Sequence, residues 1–484
     1  MNFFLTGEEV FVSEGNTFYL GFFSNFFPGP FFSRADIRLL VGVNEGQGIR
    51  FTVEARGQET TYTTSGGLPT EIDLNTDLRL SSIRTRDNGI FVRSLQGETL
   101  SVVALAEEFT SIDTFKVLPC VYLPDFGYEY YAVSVPILRV PIDYDDPTDE
   151  QEFSDPLGNS AIVIVASEDD TIITLNLTQT VDISAAEDLI NQIGANTIQN
   201  GRLETLVLNR MQTLYISSLD DLTGSRVVSD KPIAFISGHE CGTLPNNFLF
   251  CDQLVEQIPP TSTWGRRFIT TSIATRTQYD VLKVVASRDG TVFNGQCTSS
   301  GDQAPTPVGT NLARGEVAEL RIRSNQSCYF EANNPVLLVQ FSVSSNVDNV
   351  TNADPFMVII PPVGQYRTRY EISTFQSSAV DGANYLNILL PATESTCILL
   401  NGTCISATFT EIPCLQEDRS LCARAMQIAV PPGTHSLVNQ DPQVAFGVIA
   451  YWHSFRVSHG YFGGATQRPL ARESGDLYNI RFTK

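Results

Sequence analysis

Short apolar runs separated by turn-forming residues make up most of this chain. Clear examples, either alternating or continuously β-branched, are residues 161–166, 171–175 and 281–286. Gly, Asn, Asp and Pro interrupt these runs, which is typical of strands joined by tight turns. The pattern predicts an all-β fold.

One segment has helical character. Residues 185–193 (Ala-Ala-Glu-Asp-Leu-Ile-Asn-Gln-Ile) follow Ser184, a good N-cap residue, and end before Gly194. These are the usual signals for the start and end of a helix. We therefore predict one short helix, lying in an insertion between two strands.

The chain also repeats itself. Residues 166–171 (Ala-Ser-Glu-Asp-Asp-Thr) recur as Ala-Ser-Arg-Asp-Gly-Thr at 286–291, and a degraded copy lies at 391–396. Each copy stands between two hydrophobic segments. An acidic or Gly-bearing turn between strands predicts a β-hairpin.

A second repeated element contains Pro232, Pro335 or Pro442, each before an apolar run. Proline is tolerated at the opening of a strand because its missing N–H is not needed there. The three prolines are about a hundred residues apart, the size of a β-sandwich domain and too long for a propeller blade.

A third element closes each unit. Residues 258–268, with Ile-Pro-Pro and then Trp264-Gly, parallel residues 360–370, with Ile-Pro-Pro and then Tyr366; residues 123–130 are a looser relative. We expect Trp264 and Tyr366 to pack against their own units.

Together these elements predict several tandem β-sandwich-like units of about a hundred residues each. The predicted organisation is a divergent first unit 1–133, a second unit with the helical insertion 134–275, a third unit 276–378, a fourth unit 379–466, and a C-terminal tail 467–484.

Charge and hydropathy exclude some partners. The chain has 54 acidic and 31 basic residues, a formal net charge of −23. Such a surface repels nucleic acid and anionic membranes. The sequence contains no run of about 18 apolar residues, the length needed to span a bilayer.

At the N-terminus, Glu8 and Glu9 interrupt the apolar Phe3–Leu5 segment too early for a signal peptide. We expect the chain to be a piece of a larger multidomain protein.

Cysteine usage indicates the compartment. None of the nine cysteines forms a Cys-x-x-Cys motif, and with only four histidines the chain lacks zinc-site spacing. Closely spaced cysteines are typical of disulfides in an oxidising environment. The candidate disulfide residues are Cys241, Cys251, Cys297, Cys328, Cys397, Cys404, Cys414 and Cys422.

The spacing favours Cys241 with Cys251 and Cys297 with Cys328. The last four cysteines permit three pairings, of which we favour Cys397–Cys404, across the turn-forming Asn401-Gly402, and Cys414–Cys422. Cys120 is then left over, either as a buried thiol or as a partner for a segment outside this chain.

Asn-x-Ser/Thr sequons support secretion. The glycosylation candidates are Asn176, Asn325, Asn349 and Asn401.

Histidine-based chemistry has little support. His239-Glu240 resembles the start of a metalloprotease His-Glu-x-x-His motif, but position 243 is Thr. We expect His239 to be a structural residue beside the Cys241–Cys251 loop. His453 and His459 lie near aromatic residues but lack a third zinc ligand at a defined spacing, so we interpret them as packing residues of the final strand.

Carboxylate pairs are the other candidates. Asp169/Asp170 and Asp220/Asp221 would serve glycoside hydrolysis only with a raised pKa in a buried cleft, and their polar turn context favours solvated acids. The acidic segment 143–155 permits a calcium site, but a solvated loop is the simpler interpretation. With no nucleophile elbow or phosphate-binding loop, we expect no enzyme, no catalytic or metal-binding residue and no cofactor.

The Phe-rich segment 22–32 has two interpretations. It predicts a strand of the first unit's core followed by a loop, and the loop's apolar residues would also suit a partner-binding patch.

Several motifs carry a family resemblance. Gly-His-Glu-Cys at 238–241 is followed by Cys-Asp and Pro-Pro within 251–260 and by Thr-Trp-Gly at 263–265. Asn-Pro-Val-Leu-Leu-Val-Gln-Phe at 334–341 precedes Asp354-Pro-Phe-Met, and residues 458–464 close the region. The chain resembles the N-terminal domain of IgGFc-binding proteins, with His459 at a position where that domain usually has Tyr.

This resemblance implies an extracellular protein-binding or adhesion module of a mucus or matrix protein, with protein or glycoprotein partners. It does not assign Fc binding, because no short motif for Fc contact can be matched here. Two alternatives stay open, a non-binding glycosylated structural spacer and a carbohydrate-binding or carbohydrate-active protein.

The disulfide assignment makes a direct prediction. Peptide mapping of the secreted protein without reduction should recover Cys241 joined to Cys251, because an oxidising compartment preserves such bonds. Free thiols at both positions would count heavily against an extracellular location.

Overall fold

The structure is a computed structural model that describes fourteen segments of the chain. They are 11–25, 36–43, 48–64, 69–108, 111–120, 127–137, 158–245, 251–299, 306–374, 381–391, 397–414, 421–455, 457–464 and 466–467. Strands dominate these segments, so the all-β prediction is confirmed.

The strands form four successive β-sandwiches, I to IV, spanning 17–116, 128–257, 265–359 and 369–462. Sandwich I and the strand before it contain β1 Phe11–Val12, β2 Thr17–Leu20, β3 Phe22–Phe23, β4 Asp36–Val43, β5 Arg50–Ala55, β6 Gln58–Thr63, β7 Thr70–Leu74, a 3-10 turn Thr76–Leu78, β8 Arg79–Leu80, β9 Arg84–Arg86, β10 Ile90–Ser94, β11 Leu100–Glu108 and β12 Ser111–Lys116. Sandwich II contains β13 Tyr128–Tyr131, β14 Ser160–Ala166, β15 Thr171–Asn176, β16 Val181–Asp182, α1 Glu187–Ile193, β17 Thr197–Ile198, β18 Leu203–Leu208, β19 Thr213–Ser218, β20 Arg226–Ser229, β21 Ile233–Gly242 and β22 Asp252–Gln257.

A 3-10 turn, Thr261–Thr263, leads to sandwich III, and a second, Val363–Gln365, leads to sandwich IV. Sandwich III contains β23 Gly265–Thr271, β24 Tyr279–Ala286, β25 Thr291–Ser299, β26 Thr306–Leu312, β27 Val317–Arg323, β28 Gln326–Phe341, α2 Ser345–Asp348 and β29 Met357–Ile359. Sandwich IV and the strand after it contain β30 Arg369–Thr374, β31 Gly382–Pro391, β32 Ile398–Leu400, β33 Thr403–Cys404, β34 Thr410–Pro413, β35 Leu421–Val430, β36 Gly433–Asn439, β37 Gly447–Ser454, β38 Val457–Phe462 and β39 Thr466–Gln467.

All four sandwiches share one topology of eight strands, which we label a to h in chain order. Strand a is β2, β13, β23 or β30; b is β4, β14, β24 or β31; c is β5, β15, β25 or β32; d is β6, β18, β26 or β33; e is β7, β19, β27 or β35; f is β10, β20, the first part of β28, or β36; g is β11, β21, the last part of β28, or β37; h is β12, β22, β29 or β38. One sheet has the order a-f-c-d and the other h-g-b-e. The pairing within these sheets is antiparallel, so each sandwich is a copy of the same unit.

The predicted hairpins at the first repeated element are wrong. Strands b and c, on either side of the turn, lie in opposite sheets: β14 pairs with β19 and β21, whereas β15 pairs with β18 and β20. Both edges of strand b are therefore already occupied, so strand c must cross to the facing sheet. The turn is an arch between sheets, with Asp170 and Gly290 at positive φ in its two best copies.

Hydrogen bonds explain why the first and second repeated elements recur together. The Ser167 hydroxyl donates to the Pro232 carbonyl at 2.6 Å, and the Ser287 hydroxyl donates to the Pro335 carbonyl at the same distance. The two motifs, which are far apart in sequence, are neighbours that fasten the arch to the start of strand g. Pro335 itself lies within β28, where the chain passes from one sheet to the other.

The predicted helix forms, but it begins later than expected. Helix α1 starts at Glu187 behind Ala186, which makes no side-chain cap hydrogen bond, so Ser184 is not its N-cap. Ser184 instead donates its backbone N–H to the Asp182 carboxylate. Gly194 ends the helix in the left-handed conformation, as its position predicts. The helix lies between β16 and β17, an insertion between strands c and d of sandwich II.

Strands h and g, and most of strand b, are buried on both faces of the h-g-b-e sheets, whereas strand e at the edge is partly exposed. In β14 the side chains of Ile162 and Ile164 point into the core of sandwich II, whereas Val163 and Val165 pack with sandwich I. The continuous apolar run 161–166 follows from this, since neither face of the strand meets water. In β4 of sandwich I, Leu40 likewise packs with the core of sandwich IV.

These contacts close the four sandwiches into a ring. The four h strands meet at its centre: β12 contacts β22 and β38, and β29 contacts the same two strands. At the outer seam, β1 pairs with β39, and the buried Glu14 forms an ion pair with Arg367. The sequence did not predict this arrangement.

The strand pairing groups residues differently from the predicted unit limits. Strands β13, β23 and β30 precede the limits at 133/134, 275/276 and 378/379, yet each pairs with strands of the following sandwich. The limits of independently folding units stay a prediction.

The acidic segment 143–155 lies outside the described residues, as do residues 26–32 of the Phe-rich segment, whereas Phe22 and Phe23 are buried in the core of sandwich I.

The close pairing of strands g and h in sandwich II should be intolerant of a side chain at Gly238. A Cβ there would overlap the Leu254 carbonyl oxygen, so Gly238→Ala should destabilise the protein by about 3 kcal/mol or more. Thermal unfolding would measure the change. Gly42→Ala is the matched control, since a Cβ at Gly42 meets nothing within 4 Å. Equal unfolding temperatures for the two variants would contradict the observed packing.

Candidate functional site

Three buried carboxylates belong to the h strands themselves, at the point where these strands meet. Asp113 belongs to β12, and Asp252 and Glu256 belong to β22; their exposed fractions are 0%, 1% and 0%. The alternation in 111–116 (Ser-Ile-Asp-Thr-Phe-Lys) would predict a half-exposed strand, yet all six residues are buried. Sequence analysis missed this cluster because nothing local in the pattern shows that a second sandwich covers the polar face.

Each carboxylate accepts hydrogen bonds from a neighbouring sandwich. Asp113 of sandwich I accepts the Val255 backbone N–H of sandwich II at 3.0 Å. Glu256 of sandwich II accepts the Ile359 N–H of sandwich III at 3.1 Å. Asp252 accepts the Ser111 hydroxyl of sandwich I. The acids therefore connect the sandwiches in sequence around the ring.

Sandwich IV joins the same network through its own strand h. The His459 ring Nδ1 lies 3.0 Å from the Thr114 hydroxyl of sandwich I, and the Ser458 hydroxyl accepts the Asp354 N–H of sandwich III at 2.7 Å. All four sandwiches thus share one buried polar junction.

Desolvation dominates the electrostatics of this junction. Burial raises the pKa of Asp113, Asp252 and Glu256 well above the ordinary range, and the Asp252 charge raises the pKa of Asp113 further. Burial also lowers the pKa of His453 and His459 to about 3 each, so both are neutral. Raised carboxylate pKa values often mark catalytic acids. Here the groups are sealed from solvent and bonded to backbone N–H groups, so the arrangement is suited to holding the ring together.

The predicted disulfide residues form four bonds in the structure. Cys241–Cys251 joins strand g to the start of strand h in sandwich II, and Cys297–Cys328 joins strands c and f in sandwich III. Cys397–Cys404 spans the c–d turn of sandwich IV, and Cys414–Cys422 lies beside its β34–β35 edge. Cys120 is a partly buried free thiol, and burial raises its pKa to about 12, which suppresses thiolate chemistry.

The sequon residues lie at the surface of sandwiches II to IV. Asn325, Asn349 and Asn401 are exposed, each with positive φ in a turn, and Asn176 is partly exposed at the end of β15. The Asn401 side-chain oxygen accepts the Ser436 N–H at 2.9 Å, which orders the turn. The structure therefore does not bring these residues together into one site.

His239 and Glu240 each have structural hydrogen bonds. His239 is fully buried, and its Nδ1 accepts the Cys241 N–H at 3.0 Å; burial lowers its pKa to about 4. Glu240 accepts the Tyr215 hydroxyl at 2.6 Å and the Asn159 amide at 2.7 Å. Both residues thereby fasten strand g of sandwich II to its surroundings.

The remaining sequence candidates are similarly dispersed. The Asp169 carboxylate accepts the Arg210 N–H at 3.0 Å in an exposed turn, and Asp221 binds Thr223. Trp452 stacks on His459 with ring centroids 5.6 Å apart, within the buried junction. The described residues contain no group of three or more His, Cys, Asp or Glu side chains arranged to hold a metal ion.

Two neighbouring clefts at the seam of sandwiches I and II are the open candidate site. They have volumes of about 690 and 460 Å³ and share Arg56 and Arg86 in their walls. Glu54 in the larger cleft is paired with Arg210 at 2.9 Å. The arginines that meet here are dispersed over 150 residues of a predominantly acidic chain, so no sequence motif marks the site.

The fold and its junction define a class of protein: a ring of four like β-sandwiches with disulfides inside sandwiches II, III and IV. Comparison with known families places it more narrowly. The family model described as IgGFc binding protein matches residues 113–451, more than half of the chain. The chain therefore belongs to the IgGFc binding protein family, which confirms the resemblance seen in its motifs.

A curated relative supports the assignment. Human "IgGFc-binding protein" is 27% identical over 213 residues, covering 43% of this chain. The matched segment is 4% of the human protein's own length.

None of the helices in the described segments has the length and apolar character needed to cross a bilayer.

The buried junction makes a pH-dependent prediction. Because the folded pKa of Glu256 is raised, the stability that it provides is fully present below its unfolded pKa of about 4.3 and is lost as pH rises through the folded pKa. Glu256→Gln removes this loss and should flatten the decline in unfolding free energy as the pH rises above the unfolded pKa of about 4.3. Urea unfolding at several pH values measures it.

Two further variants control this measurement. Glu256→Ala leaves the Ile359 N–H without its acceptor and should cost about 1–3 kcal/mol at every pH. Glu319→Gln, at an exposed position on β27, should leave the pH profile unchanged. An unchanged profile for Glu256→Gln would show that Glu256 does not titrate as a buried acid.

Proposed function

We propose that this chain is an extracellular protein-binding or adhesion module of a mucus or matrix protein. Its membership of the IgGFc binding protein family is the observation that carries the proposal. The name of the human relative states that it binds IgG Fc. We do not extend Fc binding to this chain, because the matched segment is so small a part of that protein.

Four disulfides support the extracellular location. Such bonds persist in oxidising compartments and are rare in the cytosol. The surface positions of the four sequon residues are compatible with N-glycosylation, which would make the module a glycoprotein. The expected partners are extracellular proteins or glycoproteins, within a longer multidomain chain.

The placement of the acidic side chains favours binding over catalysis. The shifted carboxylates of the central junction are buried, where a substrate has no access. Of the acidic pairs predicted from the sequence, Asp169, Asp170 and Asp220 are exposed, and Asp221 is ion-paired with Lys283. We therefore propose a non-enzymatic role in which surface loops and the seams between sandwiches present fixed contact surfaces. Fixed surfaces reduce the ordering cost of binding.

Affinity capture tests this proposal. The oxidised, secreted protein, immobilised and exposed to mucus or extracellular-matrix extract with and without calcium, should retain a reproducible set of proteins or glycoproteins. Reduced and alkylated protein is the control, because it presents the same sequence without the fold. Purified Fc fragment forms a separate arm.

The outcomes separate the alternatives. Proteins retained by the folded form alone support the module, and saturable Fc binding would extend to this chain the activity that the relative's name states. If the folded and unfolded forms retain the same proteins, or if neither retains any, the binding proposal fails in favour of the structural spacer.

A further inference from the structure

The smaller cleft at the seam of sandwiches I and II has an unusual composition for this protein. Its walls contain three arginines, three hydroxyl side chains and one carboxylate, within about 460 Å³. The wall residues are Ser24, Arg56, Thr76, Asp77, Arg79, Ser81 and Arg86. Acidic residues outnumber basic ones in the chain as a whole, 54 to 31, so a cleft with the opposite balance is a local electropositive site.

The cleft is built by a segment that leaves sandwich I between strands e and f. This segment contains β8 and β9, and β9 pairs with β19 of sandwich II, so that Arg86 lies opposite Thr213. The Thr213 hydroxyl donates to the Arg86 carbonyl at 2.9 Å, which fixes the backbone at this position. Arg86 is therefore held on an ordered strand at the seam.

Hydrogen bonds also position the side chain of a second arginine, Arg56. Arg56 donates through Nε and Nη2 to the Asn88 side-chain oxygen at 3.2 and 3.1 Å, and through Nη2 to the Asp77 carbonyl. Asn88 is buried and donates to the Asp77 and Leu78 carbonyls. The guanidinium is thus positioned by neutral acceptors, which leave its positive charge uncompensated by those contacts.

The Arg86 side chain has a similar electrostatic character. Within the described segments, no carboxylate forms an ion pair with its guanidinium. Asp77 is the acid among the described residues of the smaller cleft's wall, where Arg56 and Arg86 both lie. Guanidinium groups are suited to carboxylate and sulfate oxygens, which they can bind through two parallel hydrogen bonds.

We propose that this cleft binds a terminal acidic sugar, through its carboxylate or sulfate group on Arg56 and Arg86. The hydroxyls of Ser24, Thr76 and Ser81 provide partners for the sugar's own hydroxyl groups. A long polyanion is disfavoured because the net charge of −23 repels it beyond the cleft. The inference goes beyond the proposed protein-binding function and does not depend on it.

Ligand-observed NMR titration of the full chain tests the site. The probes are sialyllactose, galactose 6-sulfate, neutral lactose and inorganic sulfate, at low ionic strength. We expect at least one acidic sugar to bind with a dissociation constant on the order of 1 mM, since the described residues of the cleft wall include no aromatic side chain. Comparison of the first two probes distinguishes a carboxylate from a sulfate ester.

Variants assign the binding to the cleft. Arg86→Gln should weaken binding about tenfold, and Arg86→Lys should lie between Gln and the natural residue, because lysine keeps the charge without the paired donors. Arg323→Gln, at an exposed arginine on β27 in sandwich III, should not change affinity. Unfolding temperatures verify that each variant is folded, and Ser81→Ala serves as a second cleft variant should Arg86→Gln not fold.

Four results would overturn the inference. These are no binding of either acidic sugar, lactose binding as tightly as the acidic sugars, inorganic sulfate binding as tightly as the sulfated sugar, or Arg323→Gln weakening binding as much as Arg86→Gln. Capture of matrix proteins is measured separately, so a failure here leaves the proposed function standing.

Discussion

Burial of strands h and g, and of most of strand b, on both faces of their sheet is the constraint on which the rest of this structure depends. A sandwich normally exposes the outer faces of its sheets, and here one of those faces is covered by the next sandwich. In β14, Ile162 and Val163 are neighbours in sequence but contribute to two different hydrophobic cores. The apolar surface removed from water at these seams stabilises the ring, and the ring in turn brings the h strands together at its centre.

The central junction carries a cost that the hydrophobic seams must offset. Asp113, Asp252 and Glu256 are removed from water, which disfavours their charged forms. Their hydrogen bonds to Val255, Ser111 and Ile359 recover part of that cost and tie each sandwich to another at a defined register. A wholly apolar junction would allow small rotations between sandwiches, whereas directional bonds to single backbone N–H groups do not. The polar centre therefore contributes specificity of assembly.

This organisation shapes what the surface can do. Because the h strands face inward, the outer faces of the a-f-c-d sheets, the turns and the margins of the seams face solvent, and any binding must use these surfaces. The arginine clefts lie at one such seam, where β9 of sandwich I extends a sheet of sandwich II. The larger cleft takes Arg210 and Met211 from sandwich II, so it is complete only in the assembled ring. The disulfides lie within sandwiches II, III and IV, so oxidation strengthens those three units, and hydrophobic packing joins all four.

The sequence by itself determined the strand-and-turn character, the repetition and the family. Alternation and turn residues report local burial and backbone conformation, and the recurrence of Ala-Ser-x-Asp-x-Thr records a copied unit. Only the tertiary structure decided that the turn after β14 is an arch, because the occupancy of both edges of a strand depends on distant partners. It also decided that residues 111–116 are wholly buried and that Arg56 and Arg86 share a cleft. A one-dimensional pattern reports the local periodicity of a strand, and contacts across the ring determine which of its faces are covered and what covers them.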